Sequence, residues 1–140
     1  MRILLLVLGL GLAACGAPRD PHSTLKAVEG GQLRAGLVAG VAGLADDRAK
    51  LQALASEMDA ELVTQTGDAH ALMRKLERGE LDIVASLPKN TPFMKAGFSH
   101  RAGPRAAPDA KPPVWAVRAG ENAWLLRVNI FLMQTEADAS

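Results

Sequence analysis

Asp68-Ala-His-Ala-Leu-Met-Arg-Lys-Leu-Glu-Arg-Gly-Glu-Leu-Asp-Ile-Val-Ala85 decides the fold class, because its hydrophobic period changes within a few residues. Asp68 is a helix N-cap, since its carboxylate can accept from the free amides of the first turn. Ala69, Leu72, Met73 and Leu76 then share one face at helical spacing, and Gly79 stops the helix. Leu81 to Ala85 follows as a short apolar, partly β-branched run, the pattern of a buried strand.

Working outward, the same alternation repeats. Leu33 to Val38, after Gly30-Gly31, reads as a first strand, and Gly36, Gly40 and Gly43 lead through a turn. Leu51, Leu54, Ala55 and Met58 mark an amphipathic helix from about Asp46, and Glu61 to Gln65 alternates as a second strand. From Ser86 to Pro113 the pattern loosens into a proline-punctuated loop region, with one helical turn after Thr91. Val114 to Val117 reads as a further strand. A last helix starts in Gly120-Glu-Asn-Ala and places Trp124, Leu125, Val128, Phe131 and Leu132 on one face. Strands alternating with helices of this length predict an α/β fold: three layers, a mainly parallel sheet of about four to five strands, and flanking helices.

Composition narrows the function. The chain has 140 residues, room for one domain. Aromatic residues make up 4%, namely Phe93, Phe98, Phe131, Trp115 and Trp124, too few for a base-stacking platform. Apart from the first fourteen residues, whose one charge is Arg2, basic and acidic side chains balance at 15 each. That surface gives no electrostatic footprint for nucleic acid.

The amino terminus has its own logic. Arg2 followed by the apolar stretch Ile3–Leu12 is an export signal, too short to span a bilayer. Leu12-Ala13-Ala14-Cys15 resembles the lipobox of bacterial lipoproteins, which implies cleavage before Cys15 and acylation of its thiol. Cys15 is the one cysteine, so no intramolecular disulfide can form, and acylation would consume the thiol. The organisation expected is a lipoprotein signal peptide at 1–14, a lipidated tether at 15–24, one lobe at 25–135 and a tail at 136–140. Gly16 is not the aspartate of the inner-membrane retention signal, so inner and outer membranes both stay open as addresses on the periplasmic side.

Chemistry-bearing residues are sparse. His22, His70 and His100 stand apart from one another without metal-ligand spacing, so no metal or cofactor is expected. Ser86 and Ser99 lack a G-x-S-x-G elbow and a histidine partner, so no enzyme activity is expected either. The glycines at 36, 40 and 43 lack phosphate-loop spacing. Asp46-Asp47 at a helix start favours the helix dipole. Trp115 and Trp124 read as core.

Four strings in order resemble family 3 of the bacterial extracellular solute-binding proteins, the substrate-binding type of amino-acid ABC transporters. They are Leu25–Leu37, Leu76–Val84, Leu87–Ser99 and Ala116–Leu126, and together they span most of residues 25–133. The resemblance implies one lobe of a type II periplasmic binding protein. In that family a whole second lobe is inserted where this chain has only about fifteen residues after Ser99. It also implies a ligand half-site after the third strand, at Ser86, Lys89 and Thr91. The family's carboxylate-binding arginine falls on Met94, which cannot donate to a carboxylate, and Val38–Leu44 lacks the aromatic clamp. The function implied is recognition of a small polar, amino-acid-like solute by a membrane-tethered lobe, accessory to ABC-type transport or sensing, with a permease or receptor as partner. The alternatives are a degenerate lobe acting as an envelope protein-interaction module, and two chains each supplying one wall of a composite cleft.

Overall fold

The computed structural model describes residues 16–88, 92–93, 95–103, 108–109 and 112–139. Cys15, Lys89, Thr91 and Met94 lie outside the described residues; the helical turn expected after Thr91 is not borne out at Pro92, Phe93 and Lys95, which are described and not helical, and a strand begins at Ala96. The chain runs α1 (Thr24–Val28), β1 (Gln32–Val38), α2 (Leu44–Glu57), β2 (Glu61–Gly67) and α3 (Ala69–Glu77). It continues with β3 (Ile83–Pro88), β4 (Ala96–Arg101), β5 (Pro113–Arg118) and α4 (Asn122–Asp138).

One sheet holds all five strands in the order β2-β1-β3-β5-β4. β1 pairs in parallel with β2 from Gln32↔Glu61 to Val38↔Gly67, and with β3 from Ala35↔Ile83 to Leu37↔Ala85. β5 runs antiparallel to both β3 and β4. The α/β class and the flanking helices are as expected, and four of the five strands point one way. The exception has a physical cause: residues 102–112 between β4 and β5 are too few for the crossover a parallel pair requires.

β4 corrects the loop assigned to Ser86–Pro113. It is an edge strand whose burial is mostly partial, and Gly97, Ser99 and His100 dilute its apolar signal. Its ladder with β5, from Ala96↔Arg118 to Arg101↔Val114, forms because β5 offers an unpaired edge. At the far end of the chain, α4 runs to Asp138 and takes in most of the stretch expected to be a tail.

The two faces of the sheet carry separate cores. Leu33, Leu37, Ile83, Trp115 and Val117 pack against α1, α2 and α4 through Val28, Leu51, Leu54, Trp124, Val128 and Phe131. On the other face Val38, Val84, Leu87, Val114 and Ala116 meet Leu72, Met73 and Leu76 of α3. Both tryptophans are fully buried, and the Trp124 indole donates to the Asp82 carbonyl at 2.8 Å. Gly36 sits where α3 presses on β1: a Cβ there would lie 3.0 Å from Leu81 Cδ1 and 3.1 Å from Leu72 Cδ2. Gly36 is therefore part of β1 rather than of the turn.

Nor is the run before α1 a free tether. Asp20 accepts from the amides of Leu25 at 2.9 Å and Trp124 at 3.0 Å. Glu121 accepts from those of His22 at 2.8 Å and Thr24 at 3.0 Å. The Arg19 carbonyl accepts from Asn122 at 3.1 Å. The segment is docked from Arg19 onward, because the first turn of α4 and that of α1 need acceptors for their amides and these carboxylates provide them.

Candidate functional site

Parallel strands bring their carboxyl ends to one edge of the sheet, and in open α/β sheets ligands bind at that edge. Here it is formed by Val38, Gly67 and Ser86–Pro88, with the turn 39–43 leading into α2 and Asp68 leading into α3. Asp68 is the N-cap expected, accepting from the Ala71 amide at 3.0 Å, and that bond lowers its carboxyl below the ordinary value. Gly43, the N-cap of α2, brings no side chain to its first turn. Across this pole His70 is exposed, as its position suggests, and its ring lies edge-on to Phe93, centroids 5.0 Å apart.

Ser86 stands at this pole but is buried, 3% exposed. Its backbone is left-handed, φ 64°, a conformation that costs a non-glycine residue about 1 kcal/mol or more. A β-bulge between Val84↔Ala116 and Leu87↔Val114 is the reason. Ile83 and Ala85 face the α2 side, Val84 and Leu87 the α3 side, so the extra residue lets Ser86 also point toward α2 without inverting the strand. Its hydroxyl donates to Asp47 Oδ2.

Asp47 joins two strands directly and a third through Trp115. Its Oδ1 accepts from the Trp115 indole at 2.9 Å, while the Trp115 amide donates to Ser99 Oγ at 2.8 Å and Ser99 donates to the His100 carbonyl at 2.7 Å. Helix α2 and strands β3, β5 and β4 are thus tied beneath this pole. Burial pushes the Asp47 carboxyl above the ordinary carboxylate value, against the opposing pull of Ser86, Trp115 and the Lys50 charge. Sequence reasoning treats Asp46 and Asp47 as a pair serving the helix dipole. Asp46 fits that, exposed and bridged to Lys50 at 2.8 Å, whereas Asp47 does not. The available signal is spacing: Asp47 precedes Leu51 by four and so lies on the apolar stripe of α2.

Cavities lie elsewhere among the described residues. An open groove of about 740 Å³ runs between the start of α2, the end of β4 and the last turns of α4, with Leu132 and Met133 among its lining residues. Its charges are already paired, Lys50 with Asp46 and Arg101 with Glu136. A small cavity of about 90 Å³ at the amino ends of the strands is lined by His22, Thr24, Arg34, Asp82 and Arg118, with Arg34 and Asp82 in a two-bond pair at 2.6 and 3.0 Å. Among the described residues no group of three or more His, Cys, Asp or Glu is placed to hold a metal ion. Among them, too, no helix is long and apolar enough to cross a membrane.

No protein-family model matches the sequence, and no curated protein matches it. Two solved structures are similar to the chain. The arginine-bound form of domain 1 from TmArgBP, as its Phe-to-Trp mutant, superposes with a TM-score of 0.69 at 16% identity, covering 81% of this chain and 98% of that one. A second structure of arginine-bound domain 1 gives 0.62 at 16% identity, covering 75% and 93%. At that identity the likeness concerns the fold. The chain therefore shares the fold of that domain, a five-stranded mixed sheet with helices on both faces.

Proposed function

We propose that this chain is a membrane-tethered, single-lobe solute-binding lipoprotein of the cell envelope, an accessory to ABC-type transport or to sensing rather than an enzyme. Its ligand is a small polar, amino-acid-like solute, taken at the carboxyl pole. In this reading Lys89 and Thr91, which follow β3 in the sequence, supply the polar groups, while Ser86 sets the conformation of the strand end. Lysine there acts as a point charge, without the bidentate fork of an arginine. What supports the reading most is that a lone domain of this fold, domain 1 of TmArgBP, crystallises in an arginine-bound form. A half-site without a second lobe is thus compatible with holding an amino acid.

The test is thermal unfolding of residues 16–140 with arginine, other amino acids and small organic acids at millimolar concentration. A ligand that binds only the folded state raises the midpoint, by about 2.7 kcal/mol of stability at a hundredfold excess over its dissociation constant. A midpoint indifferent to every solute favours the second reading, a lobe serving as a protein-interaction module. The burial of Ser86, with its hydroxyl turned to Asp47 and away from the pole, is the observation on that side.

A further inference from the structure

We infer that the outer face of α4 is the surface by which the lobe rests on the lipid bilayer that anchors it; the inference rests on the tethered reading above. Most exposed apolar side chains of a soluble domain stand singly. Among the described residues, three of the four large exposed ones lie on one stripe of one helix: Leu126, Ile130 and Met133, 46%, 42% and 59% exposed. They are spaced i, i+4 and i+7, while Trp124, Val128, Phe131 and Leu132 fill the opposite, buried face. A helix apolar on both sides is one that is covered on both sides.

The docked amino-terminal run says what covers it. Arg19 and Asp20 are bonded to Asn122 and Trp124, the first turn of α4. Only Gly16, Ala17 and Pro18 separate Arg19 from Cys15, so the chain can carry an acylated Cys15 no more than about 14 Å from Arg19, which is itself bonded to the first turn of α4. At about 1.5 Å per residue, Leu126 is roughly 6 Å along the helix axis and Met133 roughly 17 Å. The stripe therefore starts beside the anchor and runs away from it. A lobe so anchored meets lipid at high effective concentration, whereas a second copy must be encountered by diffusion. With α4 against the bilayer, α3 on the opposite face of the sheet looks away from it.

The test uses the full lipidated chain in vesicles of phosphatidylcholine and phosphatidylglycerol with brominated acyl chains. A fluorophore is attached through Met133→Cys on the stripe or through Arg74→Cys on the exposed side of α3, Cys15 being blocked by its lipid. Quenching at least twofold stronger at position 133 than at 74 is expected, and Leu126→Ser with Ile130→Ser should remove the difference while the thermal midpoint of the soluble form holds. Equal quenching at both positions in membrane-bound protein overturns this inference and leaves the tether standing. A label at 133 that is shielded by rising protein concentration but not quenched assigns the stripe to a second copy and also overturns it. Wild-type chain in the soluble fraction, or a Cys15→Ser chain that stays on membranes, overturns the tether itself and the inference with it.

Discussion

The Asp47 carboxylate of α2 and the Trp115 indole of β5 are joined by a buried hydrogen bond of 2.9 Å, and the second oxygen of the same carboxylate takes the hydroxyl proton of Ser86. A helix lying on a sheet is normally held by apolar contact, which is non-directional. This one is also pinned in register by a group whose charge depends on pH.

Removing that group and replacing it should differ sharply. Asp47→Ala leaves the Ser86 hydroxyl and the Trp115 indole buried without partners, and should cost about 2–4 kcal/mol. Asp47→Asn keeps both contacts, its oxygen accepting from the indole and its amide donating to Ser86 Oγ, and should cost under about 1 kcal/mol at neutral pH. Because burial raises the folded-state pKa of Asp47 above its unfolded value of about 3.9, the folded state holds the proton more tightly. The stability contributed by that proton is complete below the unfolded value and lost as pH rises through the folded one. Urea unfolding of wild type and Asp47→Asn at pH 4 and pH 7 should show the variant gaining on the wild type as pH rises.

Ser86 offers a complementary pair of variants. Ser86→Gly relieves the left-handed backbone but loses the bond to Asp47; Ser86→Ala loses the bond and keeps the strain. The glycine variant should therefore unfold at a denaturant concentration corresponding to about 1 kcal/mol more stability than the alanine variant. The opposite order would mean that the bulge does not impose the conformation.

Glu121 is the test of docking at the other pole. It is 1% exposed; burial works to raise its carboxyl, and the bonds from Thr24 and His22 outweigh that and hold it below the ordinary value. The linkage has the opposite sign to that of Asp47. Its contribution is present above the unfolded value of about 4.3 and is lost as pH falls through the folded one. Glu121→Gln can accept through one oxygen only, so amide hydrogen exchange at His22 and Thr24 should speed up, with a stability loss of about 1–3 kcal/mol at neutral pH.

Much of the architecture was legible because two signals agreed wherever it was. For α3 the capping Asp68, the stripe from Ala69 to Leu76 and the stop at Gly79 all point the same way, and the apolar run after it is a strand by length and residue type. β4 was illegible because an edge strand buries little and needs little apolar sequence. The direction of β5 is set by the connection before it rather than by its own residues. Asp47 had a signal in its spacing, but an acid at a helix start already has an adequate electrostatic explanation. The run from Arg19 to Thr24 is polar and proline-containing whether docked or loose, since what fixes it are backbone amides meeting carboxylates from distant positions. Of the residues expected to line a half-site, Ser86 is the one among the described residues, and its inward turn was not readable, because a bulge leaves no mark in a strand of apolar residues.

The Ala102 amide and the Pro113 carbonyl meet at 2.9 Å, closing β4 onto β5 at the carboxyl pole. Entry and exit of the intervening stretch are thus stapled side by side by the sheet, whatever lies between them. A port of that kind accepts foreign sequence without unpicking the ladder that frames it. A folded module spliced between Ala102 and Pro113 would leave that hydrogen bond and the β4–β5 ladder in place, and would enter and leave the lobe at the carboxyl pole.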